Sequence, residues 1–453
     1  MTNLPNMRIK QITVKKLFGL FDHVIPLNME ERITIIHGPN GFGKTILLRM
    51  LHGLFNGHYT IFRTIPFKEF QVIFEDGDYI KVDFPRQKER KDSNFPKLTF
   101  HKLNSSDKPP SMTLAPRNLE PMPFLSDLIE HEIPNMERVG INRWQDRITG
   151  EILSIGDITE RFGHYLPSRY INANVKDENL REEIREKIHI QFIKTQRSLS
   201  LSRLPKSRDK SPQMVAAVTI YADDLATTIK TKLAESSQLS QSLDRTFPAR
   251  LVSLTNNGNK LQENELRDKL TQLESKRSRF KAVGLLEKEE DNSFQIPQHI
   301  DEHTKNVLAV YVQDVEQKLA IFDELAEKIE SFQQIIKNRF LYKKITIGEE
   351  EGFFFSTHDG QRLAVTDLSS GEQQELILLY ELLFKTKPNS LILIDEPEIS
   401  LHIAWQTQFI RDLEAITKLG SFDILVATHS PDIISNRWDL TVELKGPEMS
   451  MVV

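Results

Sequence analysis

The amino-acid sequence predicts a mixed α/β fold with a long helical insertion, and three observations lead to this prediction. A short apolar, β-branched run at residues 32–36 is followed by a glycine-rich loop and then by apolar residues at helical spacing. A second apolar run, residues 391–394, ends in two carboxylates, as a buried parallel strand can. The polar chain between these runs has apolar positions in steps of three and four, which is typical of packed helices.

The glycine-rich loop, residues 38–45, reads GPNGFGKT and fits the phosphate-loop pattern G-x-x-x-x-G-K-S/T at every fixed position. Glycines let backbone N–H groups converge on phosphate oxygens, and the N-terminus of the following helix adds a favourable dipole. We expect Lys44 to reach the outer phosphates and the Thr45 hydroxyl to hold Mg²⁺. The alternative is a chance glycine-rich turn, but the strand, loop and helix context favours a nucleotide site. Its candidate residues are Asn40, Gly41, Gly43, Lys44 and Thr45.

Composition narrows the classes of protein that remain. The formal charge of −5 at pH 7 gives no general attraction to nucleic acid, so contact with DNA would need a local basic face. Cysteine is absent, which excludes disulfides, thiolate metal sites and a cysteine nucleophile, and fits a reducing compartment. No apolar run reaches the length of a membrane span, and the first residues lack the pattern of a signal peptide. We expect a cytoplasmic protein without a membrane partner.

The N-terminal segment is predicted to form strands. Residues 8–14 and 24–27 have the composition of two strands, and residues 70–84 alternate about an Asp-Gly pair, which indicates a hairpin. The basic run at residues 86–91 is interrupted by acids and is interpreted as a solvated loop. Several prolines between residues 104 and 123 indicate irregular chain.

Two amphipathic stretches dominate the inserted region. The first lies within residues 215–285 and keeps one face apolar in the 260s and 270s. The second is predicted as one helix with steps of four and three between its apolar positions: Leu308, Val312, Val315, Leu319, Phe322, Ala326, Ile329 and Ile336. This pattern fits lengthwise packing, with an antiparallel hairpin to the 260s and 270s as one arrangement. An ordinary amphipathic helix on a bundle fits it equally well.

The apolar run at residues 391–394 continues into Asp395 and Glu396, which is the form of a Walker B element. Asp395 stands at the carboxyl end of a buried strand, from which it can reach the Mg²⁺ shell. Glu396 faces another direction and is placed to orient or deprotonate an attacking water. The alternative is a buried strand that ends in two accidental acids.

Two polar segments flank this strand in sequence. Upstream, Ser370 and Gly371 precede a helical run, which suits an anion-binding helix N-terminus. A plain N-cap with Glu372 in the first turn would have the same sequence. Downstream, residues 424–428 have the pattern of another buried strand, and His429 follows it. A single histidine in that position is more often structural than catalytic.

The order of these motifs resembles that of the ABC-type ATPases of the SMC, RecF and OLD group, especially the compact single-chain ATPases of bacterial anti-phage systems. The resemblance covers the two end segments of the chain. It implies an ABC-type P-loop head that holds ATP and Mg²⁺ between two subunits. Ser370 stands where a glycine is usual in transporters and Glu372 follows, features that resemble the soluble OLD-like branch.

The resemblance also implies roles for individual residues. Glu396 and His429 would be catalytic, the former as base and the latter as the switch histidine on the γ-phosphate. A signature sequence, formed by Ser370, Gly371 and Glu372, would contact the nucleotide of the opposite subunit. Ser400 would be the D-loop serine that faces this nucleotide, and Gln196 would be the Q-loop glutamine that senses Mg²⁺. The implied metal-binding residues are Thr45, Gln196 and Asp395.

The motifs predict a head that is split by insertions. The predicted segments are residues 1–103, the first half of the head; 104–188, a partly irregular insertion; 189–200, a strand with the Q-loop; 201–340, an inserted helical or coiled-coil region; and 341–453, the second half with signature, Walker B, D-loop and switch histidine.

Partners are implied by the resemblance alone. It implies an ATP-dependent dimer of heads, within a higher homo-oligomer, and a separately encoded nuclease or toxin as effector. The effector would be Toprim-like, as in PARIS systems, or an HNH nuclease, as in Septu systems, and a phage-encoded protein would be the trigger. Two other readings remain at this point: a DNA-binding repair ATPase of the RecF kind, and a non-enzymatic scaffold with a structural nucleotide.

Overall fold

A computed structural model describes residues 7–84, 95–103, 107–115, 129–130, 133, 136–146, 152–162, 175–193, 199–202, 213–257, 262–286 and 301–447. The chain divides into two compact units, of which the first combines Met1–Gln196 with Lys385–Val453 and the second is Arg197–Phe384. None of the helices in these ranges has the length and hydropathy that crossing a membrane requires.

The described part of the chain contains both strands and helices, numbered here in chain order. The strands are β1 Ile9–Leu17, β2 Phe21–Pro26, β3 Ile33–His37, β4 Glu69–Phe74, β5 Tyr79–Asp83, β6 Lys97–His101, β7 Ser111–Thr113, β8 Met136–Gly140, β9 Arg143–Asp146, β10 Ile152–Ser154, β11 Ile190–Ile193, β12 Leu199–Ser202, β13 Gln213–Ala216, β14 Lys343–Gly348, β15 Gly352–Thr357, β16 Arg362–Leu363, β17 Leu391–Asp395, β18 Asp423–Thr428 and β19 Thr441–Glu443. The helices are α1 Lys44–Asn56, α2 Thr60–Thr64, α3 Ile155–Phe162, α4 Val175–Lys187, α5 Ala217–Asn257, α6 Glu263–Ala282, α7 Glu302–Ala320, α8 Asp323–Arg339, α9 Ser370–Tyr380, α10 Ile403–Gln406, α11 Phe409–Gly420 and α12 Pro431–Ile434. The predicted mixed α/β fold with an inserted helical region is confirmed.

The first unit is built on a five-stranded parallel sheet in the order β11-β17-β18-β3-β19. Strands β3, β17 and β18 are buried over almost their whole length, because a parallel strand covered on both faces needs apolar residues throughout. The register pairs Asp395 with Ala427 and Thr428 with His37. The carboxyl ends of these three strands therefore lie side by side, and the loops that follow them meet at one edge of the sheet.

A six-stranded antiparallel sheet, β2-β1-β4-β5-β6-β7, completes the main part of this unit. The strands predicted at residues 8–14 and 24–27 and the predicted hairpin at 70–84 are confirmed. Arg8 links the start of β1 to the parallel sheet, since two of its guanidinium nitrogens donate to the carboxylate of Asp423 at 2.9 and 2.7 Å. A separate three-stranded sheet, β10-β9-β8, has its own small apolar core around a fully buried Trp144.

Ion pairs establish the directions of the helices in the second unit. Between α6 and the helices α7 and α8, residue numbers rise together in the pairs Lys269–Glu316, Lys276–Asp323 and Arg279–Glu330. Helix α6 therefore runs parallel to α7 and α8, and the predicted antiparallel hairpin is wrong. An amphipathic stripe shows that a face is buried, but it carries no information on the direction of the partner helix.

The antiparallel partner of α7 is α5 instead. Arg250 of α5 is bonded to Asp314 of α7, and Asp244 of α5 pairs with Lys318 of α7, so residue numbers fall on one helix as they rise on the other. Helix α5 contains Pro248, which has no backbone N–H to donate within the helix. The guanidinium of Arg250 also donates to the carbonyl oxygen of Leu243, two turns earlier in the same helix, at 2.8 Å.

The apolar stripe between Leu308 and Ile336 is buried at every predicted apolar position. It belongs to two helices, however, and not to the single helix that we predicted. Helix α7 ends at Ala320 and α8 begins at Asp323, with a turn between them in which the N–H of Phe322 donates to the carbonyl oxygen of Leu319. The turn preserves the stripe because the ring of Phe322 stays fully buried, so apolar periodicity alone could not reveal the break.

Residues 341–384 belong to the second compact unit. Their assignment to the second half of the head stays a prediction. Strand β15 packs on α5, β14 packs on α8, and α9 packs on both helices. A buried ion pair between Arg339 and Glu375 also joins α8 to α9. These contacts are long-range in sequence, so the order of motifs could not predict them.

Gly352 marks the closest approach of β15 to α5. Its φ is 67°, and a Cβ at this position would lie 1.8 Å from the carbonyl oxygen of Ala222. We expect Gly352→Ala to force the strand from the helix and to lower the free energy of unfolding by about 3 kcal/mol. Gly360→Ala is the matched control, because Gly360 has a φ of 81° but nothing within 4 Å of its Cβ position. Denaturant unfolding of both variants checks this, and equal losses would contradict the steric explanation.

Candidate active site

The phosphate loop connects β3 to α1 at the carboxyl edge of the parallel sheet. Its last glycine, Gly43, precedes the helix with a φ of 90°. A Cβ there would lie 2.5 Å from the Cδ2 of Leu17, so this turn needs glycine for both its backbone angle and its space. The loop thus leads the backbone directly into the N-terminus of α1, which is the geometry that presents N–H groups to a phosphate.

Lys44 is folded over this loop. Its side chain is 5% exposed, and Nζ donates to the carbonyl oxygens of Gly38 at 2.7 Å and Pro39 at 3.2 Å. The ammonium group is therefore held at the loop, where it can turn from a carbonyl acceptor to a phosphate oxygen by rotation of its own side chain. Asn40 and Gly41 lie at the exposed tip of the loop.

Thr45 and Asp395 meet where the loop and β17 end. The Thr45 hydroxyl donates to Oδ1 of Asp395 at 3.2 Å. Burial raises the pKa of Asp395 to about 6, the carboxylates of Glu396 and Glu398 add to this rise, and the hydrogen bond from Thr45 opposes it. A hydroxyl and a carboxylate beside a phosphate loop are a donor set that suits Mg²⁺, which prefers oxygen ligands and completes its shell with phosphates and water. These residues therefore fit an ATP·Mg²⁺ complex.

Glu396 follows Asp395 but has a different backbone conformation. Its φ of 46° and ψ of 57° place it in the left-handed region, and its N–H donates to the carbonyl oxygen of Ala427 at 2.8 Å. A non-glycine residue in this region costs about 1–3 kcal/mol and is found most often at functional sites. The extended backbone of β17 therefore ends at Asp395, and the chain turns at Glu396.

His429 lies beyond β18 and is held by a carboxylate that we did not predict. Nδ1 of His429 is 3.0 Å from Oε1 of Glu398, and the same oxygen accepts from the backbone N–H of His429 at 3.0 Å. It also accepts from the hydroxyl of the buried Thr428 at 2.8 Å. The signal available in the sequence was the second glutamate of Asp-Glu-Pro-Glu, but the contact joins residues about thirty positions apart.

A second supporting residue was also missed. His23 of β2 is buried, and its Nε2 lies 3.0 Å from the carbonyl oxygen of Phe42 in the phosphate loop. Burial lowers the pKa of His23, which favours the neutral imidazole. The ring also stacks on that of Phe21, which contacts Phe42 in turn. A lone histidine in a strand gives no indication of this contact.

Ser400 lies at the end of the short helical turn that follows β17. Its hydroxyl donates to the carbonyl oxygen of Pro397 at 3.2 Å. Two apolar side chains beside it are exposed, since Ile399 is 57% and Ile403 is 74% accessible. The proposed D-loop serine therefore lies in an exposed apolar surface of the first unit.

The predicted signature sequence lies in the second unit, at the start of α9. Ser369 is the N-cap, and its hydroxyl and the carboxylate of Glu372 form a capping box. Burial alone would raise the pKa of Glu372, but the hydrogen bonds from Lys343 and Ser369 hold it below its ordinary value. The cap satisfies the N–H of Glu372, whereas those of Ser370 and Gly371 precede the first helical hydrogen bond and have no acceptor within the helix.

The structure brings part of the predicted site together. One edge of the sheet in the first unit carries Asn40, Gly41, Gly43, Lys44, Thr45, Asp395, Glu396, Ser400 and His429. Three further candidates, Ser370, Gly371 and Glu372, lie in the second unit. Gln196 lies outside the described residues.

Comparison with known proteins identifies the class. The family described as AAA ATPase domain matches residues 7–434, and the chain belongs to it. The protein is an ATPase, as the phosphate loop and the Walker B strand predicted. A stretch of 129 residues is 33% identical to the UvrABC system protein A of Aquifex aeolicus (strain VF5); it makes up 28% of this chain and 13% of that protein, so the chain spans a small part of that relative's length.

Two SMC head domains are among the solved structures to which the chain is similar. The Smc head domain with an extended coiled coil bound to the C-terminal domain of ScpA, from Pyrococcus furiosus, aligns with a TM-score of 0.36 at 13% identity, over 95% of this chain and 92% of that one. The SMC head domain from Thermotoga maritima aligns with a TM-score of 0.32 at 11% identity, over 94% and 91% of the two chains.

Proposed function

We propose that this ATPase is of the ABC type and that ATP joins two copies of the chain. The observation that carries the proposal is the exposed apolar surface of Ile399 and Ile403 around Ser400, directly after the catalytic carboxylates. Apolar side chains exposed beside a polar site favour a surface that a partner covers. The N–H groups of Ser370 and Gly371 of the second copy would then complete the phosphate contacts.

In this proposal each residue at the sheet edge has one task. Lys44 and the loop N–H groups bind the phosphates, and Thr45 and Asp395 hold Mg²⁺, with Gln196 as a further contact. Glu396 removes a proton from the attacking water, and His429 contacts the γ-phosphate. ATP and ADP would differ in how strongly they join the two copies, so hydrolysis acts as a switch.

We further propose that the switch serves a two-component anti-phage system in the bacterial cytoplasm. The chain would be the sensor and scaffold subunit, and it would hold or activate a separately encoded nuclease or toxin. The support is the order of motifs, which resembles the PARIS system ATPase most and the Septu ATPase next. The helical second unit offers a large surface for an effector or for a phage-encoded trigger.

The alternative, a RecF-like DNA-repair ATPase, needs a basic surface that is free to bind phosphates. The cations of α6 that cross to α7 and α8 are each paired with an acid: Lys269, Lys276 and Arg279. The basic run at residues 86–91 and the cluster at 206–210 lie outside the described residues. Because these three cations already bind acids within the helical unit, they are less available to bind DNA.

The test is the mass of the purified protein in solution, with and without ATP·Mg²⁺. We expect the wild type to form a defined oligomer with ATP and Lys44→Ala to fail to do so. The neighbouring gene product, added to the wild type, should join in a fixed ratio. If the protein does not bind the neighbouring gene product but binds DNA only with ATP, and this DNA affinity falls steeply with salt, the repair function would be favoured. A mass that never responds to ATP would reject the joining of two copies.

A further inference from the structure

Glu398 has no assigned role in the chemistry described so far, yet two hydrogen-bond donors and the ring of His429 converge on one of its oxygens. Oε1 accepts from the Thr428 hydroxyl at 2.8 Å and from the backbone N–H of His429 at 3.0 Å, and it lies 3.0 Å from the ring Nδ1 of His429. The side chain is 8% exposed. This carboxylate is therefore built into the interior of the site rather than solvated at its surface.

The contact with Nδ1 has a chemical consequence for the imidazole. A carboxylate cannot donate, so a hydrogen that makes the 3.0 Å approach of Nδ1 to Oε1 favourable has to lie on Nδ1. Nε2 is then the ring nitrogen left for another partner, and rotation of the ring would lose this contact. The backbone N–H of His429 binds the same oxygen, which restrains the main chain as well as the ring.

We propose that Glu398 is the positioning residue for His429, and that it presents Nε2 of the imidazole to the γ-phosphate of ATP. The inference rests on the proposed role of His429 at the nucleotide and deepens it. Glu398 acts through the histidine and does not itself touch the reacting atoms.

Two features distinguish this arrangement from a simple cap on the end of β18. The other oxygen of Glu398, Oε2, is buried and accepts no hydrogen bond within the described residues, so the fold does not fully satisfy the carboxylate. The hydroxyl of Thr428 is itself fixed, because it accepts from the N–H of Ser430 at 3.0 Å while it donates to Glu398. A cap would need only the backbone contact, whereas this network orients the ring.

Gln406 also stabilises this turn through hydrogen bonds of its side chain. Its side-chain amide donates to the carbonyl oxygens of Glu398 at 3.3 Å and Leu401 at 3.2 Å, and its Oε1 accepts from the hydroxyl of Ser430 at 3.2 Å. Gln406 is buried, so it links the backbone on both sides of the Glu398 and His429 pair. These Gln406 contacts do not involve the Glu398 carboxylate, so they remain when the carboxylate is removed and should keep the turn folded while the ring is released.

A double-mutant cycle on the full-length protein tests the proposal. Steady-state ATP hydrolysis and ATP affinity are measured for the wild type, Glu398→Ala, His429→Ala and the double variant. We expect Glu398→Ala to lower kcat about tenfold or more, with ATP affinity changed less than about threefold. In the His429→Ala background, the same substitution should change kcat less than about twofold, because it has no histidine to act through.

Two further variants serve as controls. Glu398→Gln keeps an acceptor oxygen at the same place and should recover part of the lost kcat. Glu69→Gln removes a carboxylate that is paired with Lys15 and Lys81 on the antiparallel sheet, and it should leave kcat unchanged. In ¹⁵N-histidine spectra, the signal that His429→Ala removes should be that of an Nδ1–H tautomer, and Glu398→Ala should shift it towards a mixture of tautomers.

The outcomes separate this inference from the proposed function. Additive losses in the cycle would overturn the inference and leave the catalytic role of His429 intact. Unchanged turnover in His429→Ala would overturn both, since the histidine would then have no task for Glu398 to support. A Glu398→Ala variant that loses ATP affinity as steeply as kcat would show a general structural role and would also overturn the inference.

Discussion

Glu396→Gln should bind ATP as well as the wild type does and hydrolyse it about 100-fold or more slowly. Glutamine has nearly the size of glutamate and can adopt the same backbone conformation, and the N–H of residue 396 can still donate to the carbonyl oxygen of Ala427. What it loses is the ability to accept a proton from water, and loss of a general base typically costs a factor of 10² to 10⁴. With ATP intact, the two copies should stay joined.

The measurement is single-turnover hydrolysis together with the solution mass in ATP·Mg²⁺. We expect a stable dimer, or a multiple of it, that persists for far longer in the variant than in the wild type. Glu69→Gln is again the control for loss of a carboxylate elsewhere in the same unit. Normal turnover in Glu396→Gln would remove this residue from the chemistry, and the base would have to be sought elsewhere at the sheet edge.

Lys44→Ala should abolish ATP binding at ordinary concentrations. The ammonium group makes charge-assisted hydrogen bonds, which contribute about 1.5–3 kcal/mol each, so the loss of two such bonds to phosphates should lower ATP affinity by at least about 100-fold. The variant should fold normally, because the acceptors that Lys44 releases, the carbonyl oxygens of Gly38 and Pro39, belong to a surface loop that water can reach.

Arg49→Ala provides the matched control. Arg49 is a cation on the same helix, one turn further on, and it is exposed. Its removal changes the net charge by the same amount but should leave ATP affinity within about twofold, since screening weakens exposed charges. Titration with a fluorescent nucleotide distinguishes the two variants. Equal affinities for Lys44→Ala and the wild type would exclude the loop as the phosphate site.

The part of the site that could be predicted from sequence is the part that is local. Residues 38–45 and 391–396 each contain a strand end and its chemistry in one continuous segment, so pattern and spacing were sufficient. The pattern of residues 424–428 also indicated a buried strand, and the structure places this strand between the other two and parallel to both. Contacts over long separations were not accessible, as with Glu398 and His429 or with His23 and the phosphate loop.

The helical unit shows a different kind of limit. Periodicity correctly identified the buried face from Leu308 to Ile336, because burial repeats along a helix. It could not identify a break that preserves the phase of that face, nor the direction of the neighbouring helix. Both depend on which charged residues meet across the bundle, such as Lys276 and Asp323. The helix that follows the predicted signature sequence is present, but its cap is Ser369, one residue earlier than the serine that we singled out.

The left-handed backbone of Glu396 has a consequence for the stability of the chain. Glycine adopts this conformation without penalty and asparagine with little, whereas glutamate retains a strain of about 1–2 kcal/mol. A chain that no longer needed to cleave ATP could become more stable by a single substitution at this position. In the proposed mechanism, the strained conformation of residue 396 is therefore the cost in stability of keeping a carboxylate where it can take a proton from water.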